Sequence, residues 1–160
     1  MDNILPMKLD LCAPLVYVKI DNIQENKINK ELVSQNEEIL ICYAINSRES
    51  SMIEPDKEKF LDKLLFIGRK TPGSIPNEQN FSSNISEFVI TALPAGKYLF
   101  NQYRAAEPLN QKEWLDMAIE QQKDGLWERY KLENMLYIRF LFEDGAFVTQ
   151  VFRPLIKVNV

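Results

Sequence analysis

The end of the chain constrains the fold most tightly. Across residues 135–142 side chains alternate: Leu136, Ile138, Phe140 and Phe142 take one face, and Met135, Tyr137, Arg139 and Leu141 take the other. A period of two is the mark of a strand. Asp144-Gly145 follows between Glu143 and Ala146, the dipeptide that a two-residue type I′ turn requires. Residues 147–152 then run back antiparallel, and Pro154 signals an edge or a bend. Any fold for this chain must accommodate an antiparallel hairpin with one face packed under other elements.

The segment before the hairpin predicts a helix. Asn110 is placed as an N-cap with Glu113 three residues on, an Asn form of the capping box, and Leu109 and Trp114 have the spacing of a hydrophobic staple. Leu115, Ala118 and Ile119 continue the apolar face, and Gly125 reads as the stop. A strand over residues 98–103 precedes it, with Tyr98 and Tyr103 on opposite faces. In the first half, residues 15–20 form a β-branched and aromatic strand. Residues 27–46 carry a helical stripe of Ile28, Leu32, Ile39 and Tyr43; the run 39–45 alone also fits a buried strand, and the length of the whole pattern favours helix. Strands over 64–67, ended by Gly68, and over 87–91 follow, separated by a Pro- and Ser-rich loop at 71–86.

Written as elements, the order is β-α-β-β twice. The expected fold class is α+β: duplicated βαββ units forming one antiparallel sheet with two main helices on one face. Residues 1–160 form a single domain with pseudo-repeats at about 13–92 and 96–156, and a ligand groove is expected where the two halves meet.

Composition removes several function classes. The chain has no histidine, so Ser-His-Asp and Cys-His catalysis and His-ligated metals are excluded. Cys42 has no imidazole base to activate it. No metal is expected without histidine ligands, and no cofactor is expected, Gly96 standing alone with no glycine-rich phosphate loop around it. Net charge is −4 with no basic tract, which leaves nucleic-acid binding without an electrostatic footprint. The longest apolar run, 39–45, falls short of the ~20 residues of a membrane span, and Met1-Asp2-Asn3 is not a basic leader. The expectation is a cytoplasmic protein with Cys12 and Cys42 as reduced thiols, both small buried hydrophobes.

Several short segments carry a family resemblance: Leu93-Pro94-Ala95-Gly96-Lys97-Tyr98, the Trp114-containing helix, Trp127-Glu128-Arg129-Tyr130, and Val151-Phe152-Arg153-Pro154-Leu155. Together they resemble the gyrase-inhibitor-like (GyrI-like, SOUL-related) effector-binding family over residues 88–156, while residues 13–70 match only in element order. The segment between Gly125 and Trp127 is shorter than that family commonly has, and the 71–86 loop is longer than its usual linkage. The resemblance implies a domain that binds an apolar or aromatic, optionally cationic, small molecule, with an acidic residue and a tyrosine in the pocket; a stand-alone domain is expected, since no segment of helix-turn-helix size precedes Leu15.

Glu128 and Tyr130 are the first candidates on that reading, with Trp127 beside them: a carboxylate among aromatic faces attracts a cation by charge and by cation–π contact. The competing reading is a surface pair of Glu128 with Arg129 or Lys131. Tyr17, Tyr98, Tyr103, Tyr137 and Trp114 are candidate pocket aromatics, against plain core packing, with at most one of Tyr98 and Tyr103 facing the groove. Arg139 and Arg153 have two readings, acceptance of an anionic ligand or, favoured, pairing with nearby carboxylates such as Glu143. Two other functions stay open: a protein-interaction module with a protein partner at the 71–86 loop or the hairpin edge, as implied by a second resemblance to small bacterial proteins encoded beside toxin-secretion loci, and a hydrolase using Glu128 and Tyr130.

Overall fold

The computed structural model describes residues 6–20, 28–36, 38–70 and 90–156. The 71–86 loop lies outside the described residues. Among the described residues, eight strands, β1 (Met7–Leu11), β2 (Leu15–Lys19), β3 (Glu38–Ile45), β4 (Leu61–Arg69), β5 (Ile90–Leu93), β6 (Gly96–Ala105), β7 (Met135–Glu143) and β8 (Ala146–Pro154), join two α-helices, α1 (Lys30–Asn36) and α2 (Gln111–Trp127), and one 3-10 turn, Glu49–Ser51. All eight strands form one sheet in the order β1-β6-β8-β7-β3-β4-β2-β5, and every pairing is antiparallel. The centre of the sheet is the β3·β7 pair. Outward from it the strands run β7-β8-β6 on one side and β3-β4-β2 on the other, the same second-third-first order in each direction. The architecture is α+β, with one main helix of 17 residues and a second of only 7.

The expected helix over 27–46 is corrected. Among the described residues of that span, only Lys30–Asn36 is helical, and Glu38–Ile45 is the central strand. Its continuous apolar run is what a strand covered on both faces needs. Ile39, Ile41, Tyr43 and Ile45 face one cluster together with Val33 of α1 and Trp114, Met117 and Ala118 of α2. Leu40 and Cys42 face a second cluster on the other side, over which the sheet curls, with Tyr17, Leu93, Tyr98, Phe100, Tyr137 and Phe152. Fully burying an aliphatic side chain contributes ~1.5–3 kcal/mol, so a strand buried on both faces outweighs the weak helix preference of the pattern.

Other expectations hold. Asn110 and Glu113 form the reciprocal capping box, with Glu113 N donating to Asn110 Oδ1 at 2.9 Å and Asn110 N to Glu113 Oε1 at 3.2 Å. Asp144 and Gly145 both take positive φ, 50° and 78°, between the paired Glu143 and Ala146. Leu136 and Ile138 lie on the helix side and Tyr137 opposite, while Tyr98 and Tyr103 face different clusters.

Three boundaries are corrected. β4 does not stop at Gly68 but runs through it, because the Tyr17 side chain lies against that backbone: a Cβ on Gly68 would fall 2.8 Å from Tyr17 Cβ. Gly125 does not end α2; it is buried where a Cβ would come within 2.7 Å of Leu99 Cδ1, so its role is close packing on β6. β8 is an interior strand, and Pro154 is its last residue, paired with Tyr98 and still accepting from Glu133 N through its carbonyl. β1 has no counterpart in the expected strands. Its alternation of Met7, Leu9 and Leu11 with Lys8 and Asp10 is the signal that would have found it, and Leu9 and Leu11 pack on the second cluster. No helix among the described residues is long and apolar enough to cross a membrane.

Candidate functional site

The C-terminus of α2 brings three of the sequence-predicted residues together. Glu128 caps the helix, and Arg129 takes φ 64°, the left-handed conformation that reverses a chain after a helix. Arg129 N donates to the Leu126 carbonyl and Tyr130 N to the Gly125 carbonyl, each at 3.0 Å, the two bonds of a Schellman motif. The reversal folds Tyr130 back beside the helix end, where Lys8 of β1 holds its Nζ 4.3 Å from the ring centroid. The result is an open groove of about 340 Å³ bounded by Lys8, Leu99, Asp124, Trp127, Glu128 and Tyr130. Trp127 is 82% exposed, the most exposed large apolar side chain among the described residues. Two carboxylates and the partial negative charge of a helix C-terminus outweigh the one ammonium, so the groove favours a cation. It sits at the outer edge of the sheet, against β1 and β6, away from the β3·β7 centre.

The other candidates lie elsewhere. Trp114 is 2% exposed on the helix side, its ring 5.6 Å from Tyr43. Tyr137 is buried on the opposite face within an aromatic group, 6.3 Å from Tyr98 edge-on and 6.4 Å from Phe66. Burial raises the Tyr137 hydroxyl well above its ordinary range, with help from Cys42 and Tyr98. Tyr98 is pushed up to about 12 by burial, then by Glu133 and Cys42, and donates to the Pro94 carbonyl. Cys42 is buried beside Tyr137, its thiol pushed up to about 12 by burial. Cys12, expected inside, is exposed, and neither cysteine is in a disulfide.

Tyr17 belongs to a polar network that single-sequence reading missed. Arg139 of β7 grips Glu38 of β3 side-on, Nη2 to Oε1 at 2.8 Å and Nε to Oε2 at 3.1 Å. Its Nε also donates to Tyr17 Oη at 3.0 Å, while Tyr17 donates to Glu38 Oε2 at 3.0 Å. Nη1 donates to Gln150 Oε1 at 3.0 Å, and Gln150 in turn donates to Gln102. The network thus joins β2, β3, β7, β8 and β6 over the centre of the sheet. Burial works to lower the Arg139 pKa, but Tyr17 and Glu38 together raise it overall. Burial, opposed by Arg139 and reinforced by Glu38, raises Tyr17. The expected pairing of Arg139 with Glu143 is corrected: its partner is 101 residues away in sequence, a separation no local pattern reveals. Instead Arg104 donates to the Glu143 carbonyl at 2.9 Å.

Arg153 faces the helix side and is 1% exposed. It donates to the Glu133 carbonyl at 2.6 Å and to Gln122 Oε1 at 2.8 Å, and Nη2 has no partner among the described residues. Gln122, 0% exposed, passes the contact on by donating to the carbonyls of Glu49 and Met52. No carboxylate among the described residues pairs with Arg153, which corrects the expected ion pair, and burial lowers its pKa to about 9. Among the described residues no cluster of three or more acidic or thiol groups is placed to hold a metal.

No protein-family model matches the chain, and a search of curated proteins returns no significant match.

Proposed function

We propose that the chain is a small-molecule-binding domain of the kind its GyrI-like resemblance implies, built from two βαββ units with both helices on one face. The units are β2-α1-β3-β4 and β6-α2-β7-β8. The matching strand order on either side of β3·β7 supports the duplication, as does the cluster shared by Val33 and the buried residues of α2. The observation that carries the function is the open groove at the end of α2, where Trp127, Glu128 and Tyr130 meet. Its ligand is an aromatic or apolar cation. The ammonium lies among Glu128, Asp124 and the Tyr130 ring, and the apolar body stacks on the exposed indole of Trp127. Lys8 already holds an ammonium over the Tyr130 ring, and an incoming cation takes that place.

Benzyltrimethylammonium tests this directly. It should raise the melting temperature and change the emission of Trp127, and Glu128→Gln should remove both effects. Toluenesulfonate, of the opposite charge, should do neither. Equal responses to both compounds, or a Glu128→Gln protein that responds like the parent, would refute the cation site. The same exposed indole also suits a protein partner, since tryptophan is enriched at the centres of interfaces. Co-purification of a protein lost on Trp127→Ala, with no response to cations, would favour that reading.

A further inference from the structure

We propose a second ligand site, for a small monocarboxylate, on the Arg139–Lys70 side of the opening at the centre of the sheet. The opening is about 590 Å³, within the range of small-molecule sites, and its lining includes Glu38, Lys70, Arg139, Leu141, Glu143 and Gln150. It is distinct from the groove at the end of α2 in place and in chemistry.

The charge balance is the first argument. Lys70 Nζ lies 3.7 Å from Glu38 Oε1, and Arg139 Nη2 lies 2.8 Å from the same oxygen. Two cations share one carboxylate, and Tyr17, whose hydroxyl is pushed up by burial, is neutral. The group carries one positive charge in excess. The exposed Glu143 also lines the opening, so the lining as a whole is neutral and the positive excess belongs to the Lys70–Arg139–Glu38 group, where the ligand is placed.

Donor supply is the second argument. A guanidinium has five N–H donors. Arg139 directs its Nε–H to Tyr17 and Glu38, one Nη2–H to Glu38 and one Nη1–H to Gln150. One N–H on Nη1 and one on Nη2 have no acceptor among the described residues. A carboxylate is the acceptor that takes two such donors at once. The side chain is held in place by partners on three other strands, so little rotamer entropy is lost when the ligand arrives. Half-exposed Lys70 supplies a third donor and is free to follow the ligand.

The test is a titration of the isotope-labelled full chain with benzoate, and with benzamide as its neutral isostere, observed by nuclear magnetic resonance. Benzoate should shift the Arg139 Nε–H and the Gln150 side-chain amide saturably below about 10 mM, where a millimolar site fills, and benzamide should not. Lys70→Gln, at an exposed position, should weaken benzoate about tenfold, the effect of losing one charged hydrogen bond of ~1.4 kcal/mol. Gln150→Glu, which places a carboxylate beside Nη1, should abolish it. Trp127→Ala should leave it unchanged, which separates this site from the groove at α2. Equal binding of benzamide, an unaltered affinity in Lys70→Gln, or no saturation in that range would each overturn the proposal.

Discussion

Removing the buried charge of Arg153 should cost less than removing the amide that serves it. The fall of its pKa from 12.5 to about 9 corresponds to a burial cost of about 5 kcal/mol for the charged form. Its two hydrogen bonds, to the Glu133 carbonyl and to Gln122, offset ~3–6 kcal/mol, at ~1.5–3 kcal/mol for each bond to a charged group. The side chain is therefore close to neutral in stability. Arg153→Met removes the cost and the bonds together and should change the unfolding free energy by no more than ~2 kcal/mol. Gln122→Leu instead leaves the guanidinium buried on one bond and strips the Glu49 and Met52 carbonyls of their donor, so it should cost ~3–5 kcal/mol. In the double variant part of that loss should return. Urea unfolding at pH 7, followed by near-ultraviolet circular dichroism, measures all three. If Arg153→Met loses more than Gln122→Leu, the account of Arg153 as a buried cation held without a carboxylate partner is wrong.

Three further outcomes follow from the packing. Gly68→Ala puts a methyl group 2.8 Å from Tyr17 Cβ and 2.9 Å from Thr91 Cγ2; it should cost ~1–3 kcal/mol in urea unfolding, and an unchanged midpoint would show that β2 yields freely there. One equivalent of iodoacetamide should label Cys12 in the folded protein, while Cys42, buried and with its thiol pushed up to about 12, should react only after unfolding; mass spectrometry of the peptides counts the labels. Tyr17, Tyr98 and Tyr137, three of the six tyrosines, should resist ionisation at about pH 11. Their folded pKa values lie above the unfolded value near 10, so the stability they contribute is complete below about pH 10 and is lost as pH rises from there through the folded values. Phenolate absorbance of all six at pH 11 without unfolding would contradict the burial of this cluster.

The features legible in the chain are those set by neighbours in sequence. Asn110 and Glu113 find each other because a capping box closes over three residues, and Asp144-Gly145 makes its turn because the backbone torsions of two residues suffice. Alternation over 135–142 correctly separates Leu136 and Ile138 from Tyr137. The order β-α-β-β is readable for the same reason in the second half, over β6-α2-β7-β8; in the first half it is not, since β3 lies inside the segment that reads as helix and β1 goes unread. Even the convergence of Trp127, Glu128 and Tyr130 on one groove is local, since a single left-handed residue, Arg129, folds that segment back on its helix.

What the sequence could not decide depends on partners far along the chain. The run 39–45 is apolar at every position and fits helix or strand equally; it is a strand because β4 and β7 supply its hydrogen bonds and clusters on both faces bury it. Gly68 and Gly125 look like stops, and only the approach of Tyr17 and Leu99 shows that each is a place for close packing. Arg139 and Arg153 are two arginines on one hairpin with no local difference in surroundings. The fold gives one a carboxylate from the other half of the chain and buries the other under a helix, because strand parity and sheet order, not sequence distance, determine which charges meet.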